Sequence, residues 1–117
     1  PPHSVATIWA SYSYLSEDKA DYQKLHRNIE IIRLYIRKLQ LEEYFMASES
    51  AIHCCVIRGN EQVKAISEKL RKKGFDVKAI LSPTVPEGQE RLRLCVHSFN
   101  NEAEIQNCIQ LIATFVK

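Results

Sequence analysis

Residues 91–98 read RLRLCVHS, a stretch in which every second side chain is apolar. An alternation of period two is typical of a β-strand with one face in water and one face against a core. The pattern therefore predicts a strand whose first face carries Arg91, Arg93, Cys95 and His97. On the opposite face, packed against helices, we expect Leu92, Leu94 and Val96.

A loop with two prolines precedes this strand. Residues 75–81, FDVKAIL, predict a second strand, and residues 82–90, SPTVPEGQE, join the two; we call residues 82–90 the proline loop. Because proline restricts its own φ and the residue before it, Ser82 and Val85 are kept out of helical conformations. With Gly88 free to form a turn, we expect a rigid, extended loop that leads into the RLRL strand.

The patterns on either side of these strands predict one more strand and further helices. Residues 51–57, AIHCCVI, are apolar and β-branched and predict a buried strand. A helix is expected from Asn60 to a basic cluster before Gly74, because cations suit the negative end of a helix. A last helix is expected to begin at a capping box formed by Asn101 and Glu104.

Two amphipathic helices are predicted in the first part of the chain, over residues 5–16 and 18–39, from apolar side chains at steps of three and four. The predicted fold is α+β: two N-terminal helices and a β-α-β-β-α unit with a small, three-stranded, mainly antiparallel sheet covered by helices on one face. We expect residues 1–46 to form a helical segment connecting from a larger domain, and residues 47–117 to form the small α+β domain.

Size and composition exclude several classes of protein. The 117 residues suit one domain, and 45% hydrophobic with 26% charged residues is ordinary for a globular protein. A net charge of +2 gives no electrostatic case for nucleic-acid binding. No apolar run approaches the roughly 18 residues of a membrane span. Because the chain opens with Pro1 and its only methionine is Met46, we expect a segment of a longer protein.

The four cysteines form no CxxC motif and all lie in apolar runs. Reduced, buried thiols of a cytoplasmic protein are therefore the favoured interpretation. The alternative is a zinc site, for which adjacent strands would have to bring together His53, Cys55, Cys95 and His97. Because no turn-forming Gly or Asp accompanies these residues, we predict no metal site.

Arg91 and Arg93 allow two interpretations. A strand holds a guanidinium fork firmly, and such forks bind carboxylates in a bidentate manner. The alternative is a pair of surface arginines in ion pairs with Glu87, Glu90 or Asp76. From the pattern alone the second interpretation is favoured, because most surface charges bind no ligand.

Residues 79–94, AILSPTVPEGQERLRL, closely resemble part of the C-terminal domain of the α-oxoamine synthases, which are pyridoxal-phosphate enzymes. The core TVP-x-G-x-x-RLR is fairly specific to this family. The resemblance extends over essentially all of the chain, including the Pro1–Pro2 start, residues 50–52 and residues 68–77. Within the family, the SPTVP form looks most like the biotin-pathway member, and the glycine C-acyltransferases (2-amino-3-ketobutyrate ligase type) are close alternatives.

The resemblance implies a decarboxylative condensation of an amino acid with an acyl thioester, L-alanine and a pimeloyl thioester in the biotin-pathway member. It assigns the substrate carboxylate to Arg93, the second arginine of RLR, and a substrate contact to Thr84 of TVP. Biotin-pathway members often carry arginine where this chain has Leu81.

The resemblance also implies that the pyridoxal-phosphate lysine lies in a large domain upstream of Pro1. This chain would then hold no catalytic and no cofactor-binding residue and would be inactive alone. The full-length enzyme would be a cytoplasmic homodimer that binds neither nucleic acid nor membranes.

A free-standing small-molecule-binding or regulatory module is the competing interpretation, because β-α-β-β-α units are common in such proteins. Nucleic-acid binding is less favoured, since it would need aromatic side chains on the open sheet face, where the third strand offers Cys95 and His97.

Overall fold

The computed structural model describes residues 19–117, so the helix predicted over residues 5–16 lies outside the described part. The remaining predicted elements are all present and in the predicted order. They are α1 (Lys19–Lys38), β1 (Ile52–Val56), α2 (Asn60–Lys72), β2 (Lys78–Ile80), β3 (Arg91–Cys95) and α3 (Glu102–Val116). The α+β prediction is thereby confirmed for the described residues.

The three strands form one antiparallel sheet in the order β1-β3-β2. The RLRL strand is therefore central, with a hydrogen-bonded neighbour on each side. Its burial alternates as predicted: Leu92 and Leu94 are buried while Arg93 is exposed. This face of the sheet, with the apolar side chains, lies against the helices.

All three strands are shorter than predicted, β1 by one residue at each end, and in β2 and β3 other hydrogen bonds compete for the strand ends. Residues 75–77 do not pair with β3, since the Phe75 N–H bonds the Leu70 carbonyl at the end of α2 and the Val77 N–H bonds the Phe75 carbonyl. At the end of β3, the His97 N–H donates to the Asn100 side chain, which starts a turn. β2 is thus only 3 residues long and β3 is 5.

The core lies between the inner sheet face and the three helices. Each helix turns its apolar side chains toward the core, although Leu25, Leu39 and Val116 are only half-buried. The main contributors are Ile32, Tyr35 and Ile36 of α1, Val63, Ile66 and Leu70 of α2, Ile105, Ile109 and Ile112 of α3, and Cys55, Leu92 and Leu94 of the sheet.

Helix α1 is fixed to the rest of the structure by a buried polar side chain. Asn28 is 5% exposed and its amide donates to the carbonyls of His97 (2.9 Å) and Asn100 (2.8 Å). α1 also packs on α3. The predicted boundary at residue 46 thus separates segments that share one core, and as a domain boundary it stays a prediction.

The capping box predicted for the last helix is confirmed. The Asn101 side chain accepts from the Glu104 N–H and the Glu104 carboxylate accepts from the Asn101 N–H, each at 2.9 Å. None of the helices described here combines the length and the apolar character that a bilayer crossing requires.

Candidate functional site

The sheet face away from the helices, called here the open face, presents a row of three facing residues at its centre. In the strand register, Arg93 of β3 lies opposite Cys54 of β1 and opposite Lys78 of β2. Facing residues of antiparallel strands point to the same side of the sheet. Arg93 and Lys78 are exposed, and Cys54 is half-buried.

Arg91 is also on the open face but already has partners. Its Nε donates to the Gln89 carbonyl (2.9 Å) and one terminal nitrogen contacts the Met46 sulfur at 3.0 Å. These contacts hold the segment before β1 and the end of the proline loop against the sheet. Arg91 therefore serves the structure of the sheet.

Arg93, in contrast, has no hydrogen bond or ion pair within residues 19–117, where the ion pairs join Arg33 to Glu30 and Arg71 to Glu68. The interpretation of Arg91 and Arg93 as partners of nearby carboxylates is thus wrong for the described residues. One of the proposed partners, Glu90, is turned inward and is 2% exposed. The Arg93 fork is free to bind an anion.

Arg93 lines a cleft of about 510 Å³ that opens where residues 75–77 leave the sheet. The apolar floor of the cleft includes Leu94 and Ile109 from the core. At its rim the rings of His97 and Phe99 are stacked, with centroids 4.7 Å apart and planes 8° apart. Phe99 is 78% exposed. The cleft thus combines cationic, aromatic and apolar surface.

Lys78 and Phe99 also belong to this site, although neither was predicted from the sequence. The alternation in FDVKAIL indicated which face Lys78 would occupy, but only the strand register shows that Lys78 faces Arg93. Phe99 lies in the turn after β3, for which the pattern gave no side-chain direction.

Thr84, the second predicted site residue, is exposed in the proline loop. This loop leaves β2 after Ile80, at the end of the sheet where Ile80 faces Arg91. The cleft opens beyond the other end of β2, and Thr84 is not among its lining residues. The described structure does not bring Thr84 and Arg93 into one cavity, and a substrate contact by Thr84 stays a prediction.

The proline loop is formed of turns, so the expectation of an extended loop is wrong. The Val85 N–H bonds the Leu81 carbonyl and the Gln89 N–H bonds the Pro86 carbonyl. Gly88 sits at φ 87°, a conformation that favours glycine. Turns replace extension because these local hydrogen bonds satisfy the loop's backbone.

Both ends of the proline loop are anchored at the start of α2. The Asn60 side chain accepts from the Ser82 N–H (2.9 Å) and donates to the Ser82 carbonyl (3.2 Å). The Glu90 carboxylate accepts from the N–H groups of Gly59 and Gly88, each at 3.0 Å. The backbone hydrogen bond from Gly59 is the main cause of a lowered Glu90 pKa. These anchors fix the approach to β3, and hence to Arg93.

The alternative zinc site is contradicted by the direction of its four residues. His53 and Cys55 are on the inner face, 1% and 0% exposed, whereas Cys95 and His97 are exposed. Within residues 19–117 no group of three His, Cys, Asp or Glu side chains is placed to hold a metal ion.

All four cysteines are free, but the expectation that all are buried is wrong. Cys95 is exposed and Cys54 is half-buried, because both lie on the open face. Burial raises the pKa of Cys55 and of Cys108 to about 12, so these two thiols are unreactive.

The described residues do not fit pyridoxal phosphate as its anchor. The cofactor needs a lysine whose pocket keeps the amine neutral, and every lysine in residues 19–117 is exposed. Lys78, beside Arg93, is no exception. What this part of the chain offers is a guanidinium on the open face.

The relatives found by sequence comparison bear the same enzyme name. No family model matches the chain. It is 29% identical over 117 residues to 8-amino-7-oxononanoate synthase of Saccharophagus degradans, covering 100% of this chain and 29% of that protein. The corresponding enzyme of Yersinia enterocolitica is 30% identical over 112 residues, which cover 96% of this chain and 29% of that protein. The chain thus spans less than a third of the length of these relatives.

Solved structures share the fold of the described residues. Francisella tularensis 8-amino-7-oxononanoate synthase matches with a TM-score of 0.67 at 22% identity, over 80% of this chain and 27% of that one. Serine palmitoyltransferase from S. paucimobilis matches with a TM-score of 0.64 at 20% identity, over 80% and 23%. The chain is therefore a homologue of part of the 8-amino-7-oxononanoate synthases, and its described residues have a fold found in pyridoxal-phosphate enzymes of fold type I.

Proposed function

We propose that this chain is the C-terminal small domain of a pyridoxal-phosphate-dependent acyltransferase of the 8-amino-7-oxononanoate synthase type, and that Arg93 binds the carboxylate of its amino-acid substrate. The observation that carries the proposal is the Arg93 side chain itself. It is exposed at the centre of the sheet, lines a cleft and has no partner within residues 19–117.

The position of Arg93 suits the orientation of a carboxylate. Its backbone is held by β1 on one side and β2 on the other, which restricts where the guanidinium can reach. Two parallel N–H···O bonds to a carboxylate fix the orientation of that group as well as its distance. An amino acid held in this way presents its α-carbon in one orientation, which favours cleavage of one chosen bond.

The chemistry of bond making and breaking belongs to the cofactor, which supplies an electron sink when bound. Because all lysines in the described residues are exposed, we propose that the cofactor lysine lies in another part of the intact protein. We further propose that the intact protein is a cytoplasmic homodimer, a setting that suits four free cysteines.

The acyl donor proposed is a pimeloyl thioester, either of coenzyme A or of a carrier protein, with L-alanine as the amino acid. Names of the relatives support this choice. Thr84 is proposed as a further substrate contact, reached from the exposed surface of the proline loop.

One observation favours a second candidate, a glycine C-acyltransferase. Leu81, which stands where biotin-pathway members often carry arginine, is half-buried and packs against the core. It can supply no cation for the distal carboxylate of a pimeloyl group. An acyl group without a second carboxylate would need none.

An assay of the intact protein tests the two candidates. With pyridoxal phosphate present, we expect L-alanine to release the free thiol from a pimeloyl thioester, and to do so faster than glycine releases it from an acyl-CoA lacking a second carboxylate. The reverse preference would establish the second candidate. Absence of thiol release with every amino acid and thioester would contradict both.

A further inference from the structure

Lys78 and Arg93 are two cations placed directly opposite each other. They are facing residues of β2 and β3, and both side chains are exposed on the open face. Facing residues of antiparallel strands have Cβ atoms only about 4.5–5.5 Å apart. Like charges in this arrangement destabilise a sheet. The pair therefore lowers the stability of the fold, and the fold itself gains nothing from it.

No acidic side chain within residues 19–117 neutralises the pair. The ion pairs there involve neither Lys78 nor Arg93. Asp76 and Glu104 also line the cleft, but the Glu104 carboxylate is used in the capping box, where it accepts from the Asn101 N–H at 2.9 Å. Asp76, two residues before Lys78, is exposed and forms an ion pair with neither cation.

Because Lys78 and Arg93 face each other on the open face, a small anion between the two side chains can contact both. A carboxylate has two oxygens with about four lone-pair directions, enough to accept the guanidinium fork and an ammonium N–H at once. Binding such an anion would convert the repulsion between Lys78 and Arg93 into attraction of both to the same group.

We propose that Lys78 is a second contact for the substrate carboxylate, so that Lys78 and Arg93 together form a two-cation site. The choice of an amino acid as ligand rests on the proposed function. The two-cation site itself does not, because carboxylate binding can be measured on this chain without cofactor or acyl donor.

The first measurement is the thermal unfolding midpoint of the 117-residue chain without ligand. We expect Lys78→Gln and Arg93→Gln each to raise the midpoint, because each removes the repulsion. The double variant should show no further rise, since the repulsion is already absent after one substitution. Lys64→Gln, an exposed lysine on α2, serves as the control and should leave the midpoint unchanged.

The second measurement is the dissociation constant of L-alanine, obtained from amide chemical shifts in NMR titrations. Lys78→Gln should weaken binding roughly five-fold, in keeping with the loss of one exposed charge-assisted hydrogen bond. Arg93→Gln should weaken it further. Asp76→Asn should leave it equal or tighter. L-alaninamide, which lacks the carboxylate, should cause no saturable shifts in the unsubstituted chain.

The outcomes separate this inference from the proposed function. If Arg93→Gln weakens alanine binding and Lys78→Gln does not, the role of Lys78 is refuted and that of Arg93 stands. If neither substitution changes the dissociation constant of L-alanine, both assignments fail. If L-alanine does not bind to the chain alone, the two-cation site is refuted, and the role of Arg93 is decided by the KM of the intact enzyme. Binding of inorganic phosphate but not L-alanine at the two cations would refute the carboxylate as ligand. A lowered midpoint for Lys78→Gln would refute the repulsion on which the inference rests.

Discussion

Arg91 and Arg93 differ in their surroundings although they lie two residues apart on one strand. Arg91 is held by the Gln89 carbonyl and the Met46 sulfur, and Arg93 has neither contact. The difference arises because residues 44–46 hydrogen-bond along the edge of β1, which places the Met46 sulfur in contact with Arg91. Two neighbouring positions on the same strand face thus hold one guanidinium that supports the fold and one that is free to bind a ligand.

His53 is a buried titratable side chain for which the structure predicts a pH effect between pH 7 and pH 5. It is 1% exposed, and within residues 19–117 its Nε2 has no hydrogen-bond partner. Burial is the main cause of a His53 pKa below the ordinary value of 6.5. As the pH falls through about 6.5, the unfolded chain therefore takes up a proton before the folded chain does.

We predict that the free energy of unfolding decreases as the pH is lowered from 7 to 5, by at most about 1.4 kcal/mol per pH unit from this group. Urea unfolding at a series of pH values measures the slope. His53→Leu should flatten it, whereas His26→Gln, at an exposed histidine, should not. An identical slope in the His53→Leu variant would show that another group is responsible.

At the scale of the elements, the position of the proline loop depends on hydrogen bonds to one place, the start of α2. Gly59 and Asn60 at the start of α2 bind both of its ends, through Glu90 and Ser82 respectively. The loop therefore moves with α2. A change at Asn60 reaches the β2 end of the loop without touching β3.

Asn60→Ala removes the partners of the Ser82 N–H and carbonyl. We predict a loss of about 1–2 kcal/mol in the free energy of unfolding, since these half-buried groups must then bond water or stay unpaired. Asn60→Asp keeps the acceptor for the Ser82 N–H but loses the donor to the Ser82 carbonyl. Its free energy of unfolding should therefore lie between those of the wild type and the alanine variant. Urea unfolding provides the comparison, and wild-type stability in the alanine variant would contradict the anchoring role.

The faces of the strands, the helix stripes and the capping box at Asn101 could be predicted from the sequence because each depends on residues close together in the chain. The ends of β2 and β3 could not. They depend on hydrogen bonds made by Phe75 and His97, which compete with strand pairing. The facing of Lys78 and Arg93 depends on strand register, which no local pattern specifies.

At the scale of the whole molecule, the helices cover one side of the sheet and leave the open face uncovered. That face carries apolar side chains around its arginines, with Met46 and Ile52 respectively 46% and 38% exposed. We propose that another part of the intact enzyme covers this face and forms the second wall of the substrate site. The length of the relatives, of which this chain spans 29%, supports that proposal.

If the cofactor lysine lies in another part of the intact enzyme, the 117-residue chain alone should not bind pyridoxal phosphate specifically. Because its described lysines are exposed, we expect only weak, non-saturating absorbance changes from surface amines. Absorbance titration with Lys78→Gln as the matched variant checks this. Saturable binding at one lysine would contradict the assignment of the cofactor site to another part of the protein.

The most direct measurement is the KM for the amino acid in the intact enzyme carrying Arg93→Lys, with Arg91→Lys as control on the same strand and face. Lysine keeps the charge at position 93 but loses the planar fork. The account predicts that Arg93→Lys raises the KM about ten-fold or more, as expected for a lost bidentate contact. Cofactor absorbance should be unchanged, and Arg91→Lys should leave the KM near that of the wild type. An unchanged KM in Arg93→Lys would remove this arginine from the substrate site and contradict the account.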